Sequence, residues 1–481
     1  MGVRHPRAGA SPGLRPGAAP RRSLVLAALA IVVLVVGSAS AAEQPGPRPW
    51  TDRPVVQLRF DVAEDLTSVA GWERIVFTPD LRTCEVVLRA WPNKPATARS
   101  GSSLVVSAVR IAGRTTEWDD VAAGAPAVAP AGTLLEVPLA DCAEAGEEIR
   151  IETDFELELG ADVDERMGTS TTTDVAWFAS AFPMLAWERG EGWARAPAVP
   201  VAGEMSASED FRLDSLEVTA DADHEVLGTG RASGTRAGAG GTMVHTFTAP
   251  AVRDVAVSVG DLEVVDLEVD GVRLHVGADR AVRASEAADW LTPIAGSTHD
   301  LVHLLGPFPY EDLWVTVLSS QTSGIEFPGA IQFGDVDPVE RRGLLTHELA
   351  HMWFYGLVGN DQGEHPWLDE SFATFAQLVA DGEDRAFASV ADVDLPPVGN
   401  SMSAWAEYNR PSQLYYDTVY TLGGAALDEA RDQVGHAAFD AALRSYLRDN
   451  AWTIATPADV RAAFRDVPEV LAVLREVGAL Q

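Results

Sequence analysis

The chain has 481 residues, 47% of them hydrophobic, with 71 acidic against 36 basic side chains and a formal net charge of −35 at pH 7. That length accommodates two or three domains with substantial cores. The acidic excess excludes nucleic acid and anionic membrane surfaces as partners and otherwise describes a well-solvated exterior.

At the start, five arginines and no acids precede an uncharged run over residues 23–42, which ends in the small-residue cleavage pattern Ala39-Ser40-Ala41. Two readings stay open for residues 1–41. One is a cleaved secretory signal peptide, with Arg21-Arg22 as a candidate twin-arginine element. The other is a signal anchor, since the uncharged run reaches the roughly 20 residues that span a bilayer. No later stretch is apolar enough to span, so no membrane embedding is expected beyond that anchor. Export to the cell surface or the medium fits the two cysteines, Cys84 and Cys142. Paired, they would contribute about 4 kcal/mol in the chain-entropy model; two buried free thiols are the alternative.

After a Pro/Gly-rich linker at residues 44–49, the stretch from 42 to 278 reads as a β domain. VVQLRFDV, CEVVLRAW, SLVVSAVRI and EIRIETDFELEL are alternating or β-branched runs separated by Gly, Pro and Asp. From about Arg280 the period becomes helical, apart from LWVTVL and a strand GIEFPGAIQF, and residues 279–481 form a second domain. Asp337 with Pro338 and Glu340 is a capping-box start for a helix predicted to run to about Tyr355. Gly356 and Gly359 break it, and HPWLDESFATFAQLVADG at 365–382 predicts a second amphipathic helix. Further helices are predicted at 413–434, 436–450 and 457–466, the last capped by Thr456-Pro457.

The first of these helices carries His347, Glu348 and His351 in the order H-E-x-x-H. Positions four apart share one helix face, so both imidazoles reach one metal ion, and Glu348 projects beside the metal's open position as a general base. Glu370, in the first turn of the second helix, supplies a third ligand and completes a site for one Zn²⁺ per chain. The competing readings are a surface histidine pair, an ordinary helix carboxylate at Glu348 and a first-turn acid favoured by the helix dipole at Glu370. His365 and His436 read as structural or exposed rather than as ligands, and Met352 and Trp353 as core.

H-E-L-A-H followed by W-L-D-E-S-F-A resembles the aminopeptidase N family of gluzincin zinc metallopeptidases, whose usual second block is W-L-N-E-G-F-A. Asp369 and Ser371 depart from that form on either side of Glu370. Ser323-Gly324-Ile325-Glu326-Phe327-Pro328 is similar to the family's G-x-M-E-N strand, which implies that Gly324 and Glu326 bind substrate, with Glu326 holding the free α-amine. Ile325 and Phe327 replace the methionine and asparagine of that strand. Alternatively, Glu326 is a turn carboxylate in a Gly- and Pro-rich segment. The segment YYDTVYTLG resembles the family's Y-x-K-G, which implies that Tyr420 stabilises the tetrahedral intermediate, with Leu422 where the lysine would be. A core tyrosine on an apolar helix face is the other reading of Tyr420.

The resemblance implies an α+β multidomain protein with an N-terminal β saddle domain, to which WFASAFPMLAW at 177–187 is similar, and a mainly helical thermolysin-like catalytic domain. So little sequence follows Tyr420 that the family's large C-terminal helical domain is expected to be absent or reduced to a stub. The implied activity is an exported zinc aminopeptidase acting on peptides with a free N-terminus. Two alternatives stay open: a zinc endopeptidase of the same clan, and a non-catalytic surface or binding protein with a peptidase-like fold. Oligomeric state and first-residue preference leave no mark in the sequence.

Overall fold

The computed structural model describes residues 50–201, 208–383 and 394–480. The expected leader at 1–41 and the linker at 44–49 lie outside the described residues. Among the described residues, no helix is long and apolar enough to cross a membrane.

The described N-terminal half is β apart from a 3₁₀ turn at Trp91–Asn93 and a short helix at Pro95–Arg99. Eight strands form one sheet in the order Arg231–Ala237, Thr242–Val252, Phe211–Asp221, Val55–Val62, Ser68–Phe77, Ile149–Glu158, Ser103–Ile111, Arg114–Thr116. Val55–Val62 runs parallel to Phe211–Asp221, and the other pairs are antiparallel. In VVQLRFDV the period of two turns Val56, Leu58 and Phe60 inward, all buried. Phe60 meets Phe155 and Phe178 edge to face, with ring centroids 6.1 and 5.2 Å apart. Two four-stranded sheets pack nearby, and the expected aromatic segment lies across both: Trp177, Phe178, Phe182, Met184 and Trp187 are all buried.

Thr83–Arg89 pairs with Leu134–Ala143, and Thr83 stands opposite Ala143. That register makes Cys84 and Cys142 cross-strand neighbours, and they form a disulfide across a separation of 58 residues.

A five-stranded sheet leads to the helical half, in the order Leu262–Val269, Val272–Asp279, Asp312–Leu318, Ala330–Gly334, Gly324–Phe327. Val272–Asp279 and Asp312–Leu318 are parallel and are joined through the helix Ala287–Leu305, the crossover that parallel neighbours require. Every residue of Asp312–Leu318 is buried, as in a strand covered on both faces. The boundary expected at 278 falls inside this sheet. By hydrogen bonding, the strands from Leu262 onward belong with the C-terminal half rather than with the β domain. GIEFPGAIQF is not one strand but a hairpin: Pro328 and Gly329 turn the chain, Gly329 at φ +70°, so that Gly324–Phe327 forms the sheet's edge.

The helices also differ from expectation at their ends. Asp337 accepts hydrogen bonds from the backbone N–H groups of Val339 and Glu340, at 2.8 and 3.0 Å, as a capping residue should. It caps an isolated turn, however; Arg341 leaves helical geometry, and the motif helix proper is Arg342–Ala350. The return helix, Trp367–Asp381, ends on Gly382 in the left-handed conformation. The helix predicted for 413–434 divides into an α-turn Pro411–Tyr415, a π-turn Tyr416–Leu422 and an α-helix Gly423–Val434. His436–Asp449 and Pro457–Ala463 come next, the latter with the Thr456 capping box, and Pro468–Glu476 is a helix that sequence patterning did not indicate.

Arg253 ties the two halves together. Wholly buried, it donates to the carbonyls of Ser208, Gly356 and Thr453 at 2.9, 3.4 and 3.1 Å. Gly359 accommodates this strut, because a Cβ there would lie 2.4 Å from the guanidinium carbon.

Candidate metal centre and catalytic cleft

One helical turn separates His347 from His351, and their Nε2 atoms come within 3.1 Å of each other. The return helix brings Glu370 across, its Oε2 lying 3.2 Å from His347 Nε2 and 3.4 Å from His351 Nε2. All three residues are buried. Ligands 2.0–2.1 Å from a tetrahedral zinc ion lie about 3.3 Å from one another, so these three separations fit that ion. Two imidazole nitrogens and one carboxylate oxygen are also the donor types zinc takes.

A second layer fixes the orientation of the rings. His351 Nδ1 lies 2.6 Å from Asp369 Oδ1, and the other oxygen of Asp369 accepts from Gln362 Nε2 at 2.6 Å. With Nδ1–H given to a carboxylate, Nε2 keeps its lone pair for a metal. Thr374, one turn after Glu370, has its hydroxyl 3.5 Å from His347 Nδ1. Neither Gln362 nor Thr374 stands out in the sequence; their only signal is position, in the loop before Asp369 and at i+4 from Glu370.

Burial and charge compete among these groups. Burial pulls the His351 pKa down, but Glu326, Asp369 and Glu370 outweigh it and hold the imidazole well above its ordinary range. For Glu370, burial opposes ionisation, yet His351 and His347 win and the carboxyl stays below the usual carboxylate range. Asp369 is pushed up to about 6, by burial first, with His351 opposing. Three acids around His351 favour a positive charge at the centre. A bound divalent cation provides it without a proton on His351.

Around this centre lies a cleft of about 750 Å³ lined from both halves of the molecule, including Lys94, Glu165, Arg166, Glu326, Glu348 and Tyr416. Glu348 faces the edge strand so closely that a Cβ on Gly324 would sit 2.5 Å from its Cγ and Oε1. The glycine expected on that strand therefore leaves room for the Glu348 side chain. Glu326, two residues on, is buried, and one oxygen each of Glu326 and Glu348 and a nitrogen of His351 lie within 4.8 Å of one another. Tyr420 donates its hydroxyl to Glu370 Oε1 at 2.5 Å, and its ring stacks on His347 and on Tyr416. Burial, then the charge of Glu370, keeps the phenol well above its usual pKa and hence protonated.

All seven residues singled out in the sequence thus meet in one cleft. His365 is half-buried with its pKa lowered by burial, and His436 is exposed and paired with Asp432, so neither joins the centre. Met352 and Trp353 are core.

An H-E-x-x-H helix with a glutamate returned from the next helix, beside a mixed sheet whose edge strand borders the cleft, is the arrangement expected of a gluzincin metallopeptidase. Residues 338–477 match the family model described as peptidase family M1 domain. A membrane alanyl aminopeptidase of Heliothis virescens is 27% identical over 150 residues, 28% of this chain, and aminopeptidase M1 of Arabidopsis thaliana is 27% identical over 134 residues, 25% of this chain. The matched segment spans 15% of the length of either relative. The fold is shared with an M1 zinc metallopeptidase mutant of Deinococcus radiodurans bound to the substrate Tyr-Ser-Ala, at TM-score 0.63 and 19% identity over 91% of this chain and 96% of that one. Residues 338–477 thus carry the likeness to the peptidase family M1 domain, and the described chain as a whole shares the fold of an M1 zinc metallopeptidase.

Proposed function

We propose that this protein is a zinc aminopeptidase that removes N-terminal residues from peptides, with one zinc ion held by His347, His351 and Glu370. The observation that carries this reading is the placement of Glu326 and Glu348 within 4.8 Å of the His351 ring, so that an amine anchor and a base share one short stretch of cleft. When bound, zinc supplies a Lewis acid that makes water nucleophilic near neutral pH and polarises a carbonyl.

Glu348 takes the proton from the attacking water and passes it to the leaving amine. The Tyr420 hydroxyl, kept protonated, faces the charge that develops on the carbonyl oxygen. Glu326 pairs with the substrate's ammonium and so selects the first peptide bond, while Gly324 leaves room beside it for the Glu348 side chain. The strands up to Gly260 form a supporting β domain, and the rest of the described chain forms the catalytic one. Export is part of the proposal, supported by the leader pattern and by a disulfide that an oxidising compartment would maintain.

The test is hydrolysis of free peptides with and without a chelator, followed by product mass. The expected result is release of single residues from the N-terminus, lost on chelation and restored by zinc. Internal fragments as first products would overturn the aminopeptidase reading.

A further inference from the structure

Ser371 stands immediately after Glu370 on the return helix and is wholly buried. Its hydroxyl donates to the backbone carbonyl of Val419 at 2.6 Å. Val419 is the residue before Tyr420 and lies inside the π-turn Tyr416–Leu422. Gly423 makes the approach possible, since a Cβ there would lie 2.1 Å from Ser371 Oγ, and Gly424 plays the same part against Thr374. One hydrogen bond therefore joins the neighbour of Glu370 to the neighbour of Tyr420, while Tyr420 and Glu370 themselves meet at 2.5 Å.

A π-turn is a rare local widening of a helix, found frequently at functional sites. Here a contact to it comes from the helix that carries Glu370. From this geometry we infer that Ser371 is a positioning residue for Tyr420: it pins the π-turn through the Val419 carbonyl and so sets where the phenol points relative to Glu370. The inference rests on the proposed role of Tyr420. Ser371 touches no substrate and acts only through the backbone, so its removal should leave zinc and substrate binding alone and lower the turnover step.

The experiment is a double-mutant cycle with Tyr420→Phe, using Ser371→Ala and Ser371→Gly as independent ways of removing the hydroxyl, with kcat, KM, zinc content and melting temperature measured for each protein. With Tyr420 present, both Ser371 variants should lose about five- to tenfold in kcat through misplacement of the phenol, with KM and zinc content unchanged. Combined with Tyr420→Phe, the same changes should have no further effect on kcat, because no hydroxyl is left to position. An equal fall in both backgrounds, or none in either, would overturn the assignment of Ser371 while leaving Tyr420 in place. Wild-type turnover in Tyr420→Phe alone would instead remove the role of Tyr420 and the inference with it. Ser371→Gly recovers the residue type of the family's usual block, so a fall there is not explained by a foreign side chain in the core.

Discussion

His347, His351 and Glu370 stand on or at the end of two α-helices, Arg342–Ala350 and Trp367–Asp381, whereas Glu326 stands on a four-residue edge strand and Tyr420 in a π-turn. On an α-helix, residue count alone fixes which side chains share a face. On the edge strand and the π-turn, direction depends on the neighbours: the space between Gly324 and Glu348 on one, and the Ser371 to Val419 hydrogen bond on the other. The spacing of the two histidines is therefore set by local geometry, whereas Glu370 depends on the packing of two helices and the proposed substrate side on contacts of an edge strand and a π-turn. Changes on the metal side should appear in zinc affinity, and changes on the substrate side in turnover and selectivity.

The largest expected effect belongs to Glu348, which borders both sides. Glu348→Gln should retain zinc and lose about a thousandfold in kcat, since an amide cannot accept the proton. Zinc analysis together with turnover checks this, and substantial activity in a zinc-loaded variant would remove Glu348 from the role of base. Tyr420→Phe should cost about a hundredfold in kcat with zinc affinity unchanged. A parallel fall in zinc content would place Tyr420 on the metal side, through its bond to Glu370. Asp369→Asn keeps an acceptor for His351 Nδ1 but not the charge, and should weaken zinc binding about tenfold, measured by competition with a chelator, with kcat at saturating zinc little changed. Unaltered affinity would mean that the 2.6 Å contact orients the ring without affecting its hold on the metal.

The same division explains what could be read from the sequence. His347, His351 and Glu370 followed from helical spacing and from the punctuation between two helices, even though the motif helix is shorter at both ends than the helix predicted to run from Asp337 to Tyr355. His351 terminates that helix, and one turn of geometry was enough to aim it. The π-turn could not be read, because its extra residue per turn leaves no periodic signature in seven residues. The hairpin at Pro328-Gly329 did have a signal, a Pro-Gly pair, which lay hidden inside one apolar run. Residues 262–278 read only as the end of the β domain, and the sheet they join could not be read, because the partner of Val272–Asp279, Asp312–Leu318, lies beyond a helix. The cysteines were an obvious pair in number, while their proximity came only from strand register.

The central claim is that Glu326 makes this cleft an aminopeptidase site. The most direct test is the ratio of cleavage rates for one peptide with a free and with an acetylated N-terminus, measured for the wild type and for Glu326→Ala at equal zinc occupancy. Acetylation abolishes the ammonium charge that Glu326 would hold, so the wild type should prefer the free peptide by at least about tenfold. That ratio should fall toward one in Glu326→Ala. Internal cleavage of the blocked peptide as fast as trimming of the free one, or an undiminished preference without Glu326, would contradict the account.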